Sequence, residues 1–454
     1  MFTKHLSSSV SALVLVLLCF FTIFVFGADL PVQWQLFETE HFYLLLPQGI
    51  QSPSYVIDEV ERIRDQVVEF WVPNGEELLE EARKVREEEM ISSSLSSPQK
   101  SSLLHGTLKT LLLLYPDIET YWEDTKAFGI YGLTKTWISL WTLPELIHNP
   151  CGLDPVFRKL RYEGRLWEYW FVTVCCLNDC CGCGEWRPVL AHELTHDLQF
   201  QIGWASPLFV WEGMAYWTEF QLGYEQHFDL RVNQEVAIWL ESGGGIDQEI
   251  PAYLMAEVGA SLVDFFCSIG GKEGFLTIYS ELVFSHRELP EDMTQDELIA
   301  RLFGKPVEEL LAGWEQSIRQ IPITTGARVL YRAKQQGLGV RAIFLLPLFS
   351  PEQREEVWSR LAGINAGQGT QADLERLEAL FQGPFPLPDE EALSKIDQRL
   401  TWLRTIVENS AGSEASARVS RLNILRFRDP ERLVQEYVEI VNTYLTGDVS
   451  LLRD

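Results

Sequence analysis

Two histidines four positions apart, with a glutamate directly after the first, constrain this chain more than any other feature: Ala191-His192-Glu193-Leu194-Thr195-His196. On an α-helix, positions four apart share a face and lie about one turn from each other. Both imidazoles can then reach a single ion, and Glu193 can address a water bound to that ion. A catalytic zinc needs a third protein ligand and an open corner for water. Glu212, in Trp211-Glu212-Gly213-Met214-Ala215-Tyr216, can supply that ligand from a following helix. The implied chemistry is one Zn2+ held by His192, His196 and Glu212, with Glu193 as general base. The bland alternative is an ordinary helix with a polar face.

The local signals support a helical hairpin. Pro188 is tolerated near a helix start, Gly203 is a stop signal, and Pro207 permits a new start. So short a link suits antiparallel neighbours and folds Glu212 back toward the histidines. Tyr216 lies one turn beyond Glu212 on the same face, in the wall of the cleft. Asp197 and Gln199 are expected as partners of the ligating imidazoles.

His192-Glu193-x-x-His196 followed after fifteen residues by Glu212-Gly213 resembles the gluzincin metallopeptidases, the group of thermolysin and aminopeptidase N. The wording around Glu212 is most similar to the aminopeptidase-N-like branch and its small bacterial peptidase relatives. The resemblance covers roughly residues 33–321, strongly at the two motifs and faintly elsewhere. It implies an α+β fold, with a small mixed β-sheet subdomain followed by a helical zinc-peptidase subdomain, and a peptide or protein substrate. It also implies that an edge strand pairs with extended substrate, for which 130–140 is the candidate.

Two departures from that family bear on mechanism. The aminopeptidase branch carries a Gly-x-Met-Glu-Asn stretch that holds a free amino end, and nothing like it lies between 126 and 190. The expectation is therefore an endopeptidase rather than an aminopeptidase. Glu257-Val258-Gly259-Ala260-Ser261 resembles the branch's Tyr-Glu-Lys-Gly-Ala, whose tyrosine steadies the oxyanion, but Ala256 stands at the tyrosine position. Tyr253, one turn earlier, and Tyr216 are the replacement donors, with plain packing tyrosines as the alternative. His227 and His286 are more remote candidates.

The chain opens with Lys4 and an apolar run over 10–26. This reads as a secretory signal peptide, residues 1–27, cut before Ala28. The rival is an uncleaved anchor at 10–26, since the run is near the length that crosses a bilayer. Either way the protein is expected to be secreted or held at the cell envelope. A net charge of −28 argues against nucleic acid, whose phosphates it would repel. Of eight cysteines, Cys19 lies in the leader, so an odd number follows. Cys175, Cys176, Cys180, Cys181 and Cys183 crowd ahead of the motif, with Cys151 before and Cys267 after. Disulfides with one thiol left over, free thiols and a second metal site all stay open.

The length suits two or three domains. The expected division is a metallopeptidase domain over 28–323, with a charged and Ser-rich insertion at 76–103, and an all-α region over 324–454. Strands are expected at 42–46, 109–115 and 131–141. A helix after Pro53 should bury Val56, Val60, Ile63 and Val67 on one face. Proline-led helix starts recur at Pro351, Pro388 and Pro430. The C-terminal region reads as a bundle packed on the peptidase unit or as a docking module. Against an exported zinc endopeptidase stands a catalytically silent protein that uses the same fold for binding or as an envelope structure.

Overall fold

The computed structural model describes residues 34–48, 52–72, 110–114, 171–174, 186–202, 208–288 and 295–445, with single gaps at 247 and 249. The leader, the 76–103 insertion, the 130–140 edge strand and the cysteines from 151 to 183 lie outside these residues. The described residues are mostly helical with one small sheet, so the coarse α+β class holds.

Among the described residues, four strands build the sheet, in the order β1 (Trp34–Glu38), β2 (Phe42–Pro47), β3 (Thr110–Leu114) and β4 (Phe171–Val174). β1 and β2 form an antiparallel pair, with Leu36 opposite Leu45. β2 runs parallel to β3, and β3 parallel to β4, with Leu112 opposite Val172. β2 is buried on both faces and is apolar throughout. Its side chains alternate: Phe42, Leu44 and Leu46 enter one core, and Tyr43 and Leu45 enter another.

The first core holds the metal-motif helices. Helix α1 (Pro53–Trp71) buries Val56, Val60, Ile63 and Val67 as its spacing predicts, and adds Trp71. It packs on α2 (Trp186–Ile202), which presents Leu190, Leu194 and Leu198 at four-residue spacing. Helix α3 (Leu208–Gln221) contributes Met214, Tyr216, Trp217 and Phe220. Burying each such side chain contributes on the order of 2 kcal/mol. The Trp71 indole donates to Thr218 Oγ1 at 2.8 Å and ties α1 to α3.

A π-helical turn (Asp229–Asn233) leads into α4 (Gln234–Glu241). Helix α5 (Met255–Glu288) is long and kinks at Gly271, where φ is 69°. α5 crosses α3 very closely: a Cβ built on Gly213 would lie 2.1 Å from the carbonyl carbon of Gly259. Two short helices, α6 (Gln295–Phe303) and α7 (Val307–Arg319), follow. Trp314 and Ile318 of α7 join Val236, Trp239, Val258 and Leu262 in a smaller core.

The remaining helices are α8 (Thr325–Gln335), α9 (Leu338–Leu345), α10 (Pro351–Asn365), α11 (Gln371–Gln382), α12 (Glu390–Arg428) and α13 (Pro430–Tyr444). Thr324, Ser350, Thr370, Asp389 and Asp429 each cap a helix start with a side-chain oxygen. These helices cover the second face of the sheet, where Trp34, Tyr43 and Leu45 meet Val329, Leu330, Phe344 and Leu345. Residues beyond 324 thus share a core with the first two strands. Arg341, 2 % exposed, makes a two-pronged pair with Glu378 at 2.5 and 2.8 Å and donates to Asn442 Oδ1. No described helix is long and apolar enough to cross a membrane.

Candidate metal centre

The apolar positions of α2 turn toward the core, which leaves His192 and His196 on the side that faces α3. Their Nε2 atoms lie 3.1 Å apart. Glu212 projects from the first half of α3, and its Oε2 is 3.4 Å from His192 Nε2 and 3.8 Å from His196 Nε2. A tetrahedron with arms of about 2.1 Å has edges of roughly 3.4 Å. Two imidazoles and one carboxylate at this spacing match the donor set and geometry of a three-ligand zinc site. Among the described residues this is the group of three whose ligand atoms converge closely enough to hold a metal ion.

Each histidine is held by its other nitrogen. His192 Nδ1 meets Glu219 Oε1 at 2.7 Å, and His196 Nδ1 meets Gln199 Oε1 at 2.7 Å. These bonds put the proton on Nδ1 and leave Nε2 free to ligate. Gln199 in turn donates to the carbonyl of Trp211 at 3.1 Å, and the Trp211 ring stacks on His196 at 4.9 Å. The residue just before Glu212 therefore braces the second imidazole.

Burial and mutual contact shift each member of the group. Burial opposes protonation of His192, but hydrogen bonds to Glu212 and Glu219 outweigh it and hold its pKa well above the ordinary range. Burial pushes His196 down. Burial also works to raise Glu212, yet the two histidines hold it well below the usual carboxylate range. Burial raises Glu219. Glu193 is 3 % exposed and lies close enough to His192 to act on its charge.

The sequence-predicted residues separate into two groups. His192, His196 and Glu212 come together, with Gln199 beside them. Tyr216 is buried on the core side of α3, edge-on to Phe220 and beneath the Arg231 guanidinium. Burial pushes its phenol up to about 12, so it stays protonated and remains a donor. Tyr253 is engaged elsewhere: its hydroxyl donates to Tyr331 at 3.2 Å, against the core of Trp239, Leu254 and Val258. Ala256 is buried and apolar. His227 is exposed, with φ 65°, in the turn before Asp229. The side chains of Asp197 and His286 lie outside the described residues. Sequence reasoning missed Glu219. Its signal was its position seven residues past Glu212, two turns along the same helical face.

The chain matches no protein-family model, no curated protein and no solved structure. The functional reading therefore rests on the two motifs and on the site they build.

Proposed function

We propose that the protein is an exported zinc-dependent endopeptidase of gluzincin type. One observation carries the reading: His192, His196 and Glu212, from two helices, present three ligand atoms at tetrahedral spacing with Glu193 buried beside them. The donor set fits zinc, two imidazole nitrogens and one carboxylate oxygen. Zinc held there supplies an acidified water and polarises the scissile carbonyl. Glu193 accepts the water's proton and returns it to the leaving amine. Glu219 and Gln199 keep the imidazoles turned inward. Of the two hydroxyls proposed to donate to the oxyanion, that of Tyr216 stays protonated across the working pH range, and that of Tyr253 is bonded to Tyr331.

A specific observation favours a second reading, a silent binding protein. Ala256 stands where the resembled branch has its tyrosine, and the Tyr253 hydroxyl is bonded to Tyr331. A missing oxyanion donor costs roughly 3 kcal/mol of barrier, which slows turnover without abolishing it.

The test uses purified protein, metal analysis and an unfolded protein substrate, with and without chelator. The expected result is one zinc per chain, cleavage lost on chelation and restored by zinc, and Glu193→Gln inactive with zinc retained. Equal cleavage by wild type and Glu193→Gln, or no zinc in either, overturns the reading. Zinc retained with no cleavage by wild type selects the binding protein. Recovery of the chain in membranes with residues 1–26 intact would indicate an anchor rather than release.

A further inference from the structure

A second cluster of charge, on the side of α4 and α5 that meets the C-terminal helices, takes no part in the proposed hydrolysis. Glu235 on α4 and Glu257 on α5 are both completely buried. Lys334 on α8 reaches both: its Nζ lies 2.9 Å from Glu235 Oε2 and 2.6 Å from Glu257 Oε1. Glu235 Oε1 is also buried and accepts no hydrogen bond among the described residues.

The charge count is uneven. With both carboxylates ionised, one part-exposed ammonium faces two fully buried negative groups, and the excess buried charge is costly. One proton removes the excess. Among the described residues, the other cations around the cluster are committed to partners of their own. Arg231, on the π-helical turn, also acts on the Glu235 charge, and its guanidinium is paired with Glu225. From α3 come Tyr216 and Glu219, the latter bonded to His192. From α7, Arg319 donates to the Leu240 carbonyl and pairs with Glu315. From α8, Arg328 pairs with Glu241, and the Tyr331 hydroxyl meets that of Tyr253.

We propose that Glu235, Glu257 and Lys334 form a proton-controlled latch between the metal-bearing helices and the C-terminal helices. With one proton shared by the two carboxylates the pocket is neutral, and α8 seats firmly on α4 and α5. Loss of that proton loosens the seat. α8 is the right element to respond. It begins at Thr324, whose N–H and hydroxyl both bond Gln234 Oε1 at 2.9 Å, one residue before Glu235. It also carries Val329 and Leu330 into the core shared with the sheet.

The direction follows from linkage. Burial pushes the Glu235 carboxyl up to about 7, against the opposing pull of Lys334 and with a further push from Glu257. The seated state therefore holds a proton that the released state gives up. Seating is strongest below the ordinary carboxylate value of 4.5 and weakens as pH rises through about 7.

Hydrogen exchange on the full chain tests the latch, read at pH 6 and pH 8.5 and corrected for intrinsic rates. Helix α1 serves as the internal reference. In wild type, protection across α8 is expected to fall roughly tenfold relative to α1 between those values. In Glu235→Gln the ratio should stay flat. Glu257→Gln leaves the same single carboxylate, so it should behave alike and replaces Glu235→Gln if that variant does not fold. Lys334→Met should expose α8 at both pH values, and adding Glu235→Gln to it should restore part of the protection. Wild-type α8 and α1 sharing one pH dependence overturns the proposal. So does a carboxamide variant that tracks wild type, or a double variant no better protected than Lys334→Met.

Discussion

His192 Nδ1 and Glu219 Oε1 lie 2.7 Å apart, and Glu219 stands two helical turns past Glu212 on the same face. One helix thus supplies both a ligand atom and the brace for a ligand on its neighbour. Glu219→Gln keeps the shape but weakens the acceptor and permits the wrong ring orientation. Zinc affinity is expected to fall tenfold to a hundredfold or thereabouts, with the fold unchanged. Competition against a chromophoric chelator, with circular dichroism as the control, measures this. Unchanged affinity would show that Glu219 does not orient His192.

Gly213 tests the crossing next to the site. Any Cβ there meets the backbone of Gly259 and Ala260, at 2.1 to 2.5 Å, and backbone cannot rotate away as a side chain can. Gly213→Ala must push α3 from α5 and displace the adjacent Glu212. A loss of about 2 kcal/mol or more in urea unfolding is expected, together with weaker zinc binding. A variant as stable as wild type would mean that the helices separate at little cost.

The Arg341–Glu378 pair should respond asymmetrically. Arg341 is 2 % exposed, whereas the Glu378 side chain is 34 % exposed. Glu378→Leu strands a guanidinium away from water, with only Asn442 and backbone carbonyl contacts remaining, and should cost about 2 to 3 kcal/mol. Arg341→Met fills similar space against Phe381 and leaves a carboxylate that water can reach, so it should cost less. Equal losses in denaturant midpoints would contradict this ordering.

Glu61 gives an acid-side prediction. Burial works to raise its pKa, but hydrogen bonds from the His41 ring, Thr39 and the His41 N–H outweigh it and hold it at about 2. The folded value is depressed, so its contribution is fully present above 4.5 and is lost as pH falls toward 2. Wild type should exceed Glu61→Gln by about 1 to 2 kcal/mol at pH 7, a partly exposed pair being screened by water. That gap should narrow steadily as pH falls from 4.5 to 2. A gap independent of pH would assign the effect to packing.

Much of the site was legible from spacing alone. His192 to His196 is a four-residue interval, and Gly203 and Pro207 bracket the link between helices that end at Ile202 and begin at Leu208. A short apolar run marked β2, and the proline starts at 351 and 430 open helices as read. Less visible were β1 and β4. Each has four or five residues, and such short strands carry too little pattern to stand out. Glu219 was hidden because a buried carboxylate looks like a surface one until its partner is known. Tyr253 was placed one turn from Ala256 by sequence, but the 3₁₀ turn over Ala252–Leu254 sends its hydroxyl to Tyr331 instead.

Strand β2 works as a party wall. Phe42, Leu44 and Leu46 furnish one room, and Tyr43 and Leu45 furnish the other. A slip of one residue in its register would exchange the two sets and misfit both rooms together. Mispairing thus carries a double penalty, and neither room can be completed without the other's wall already standing.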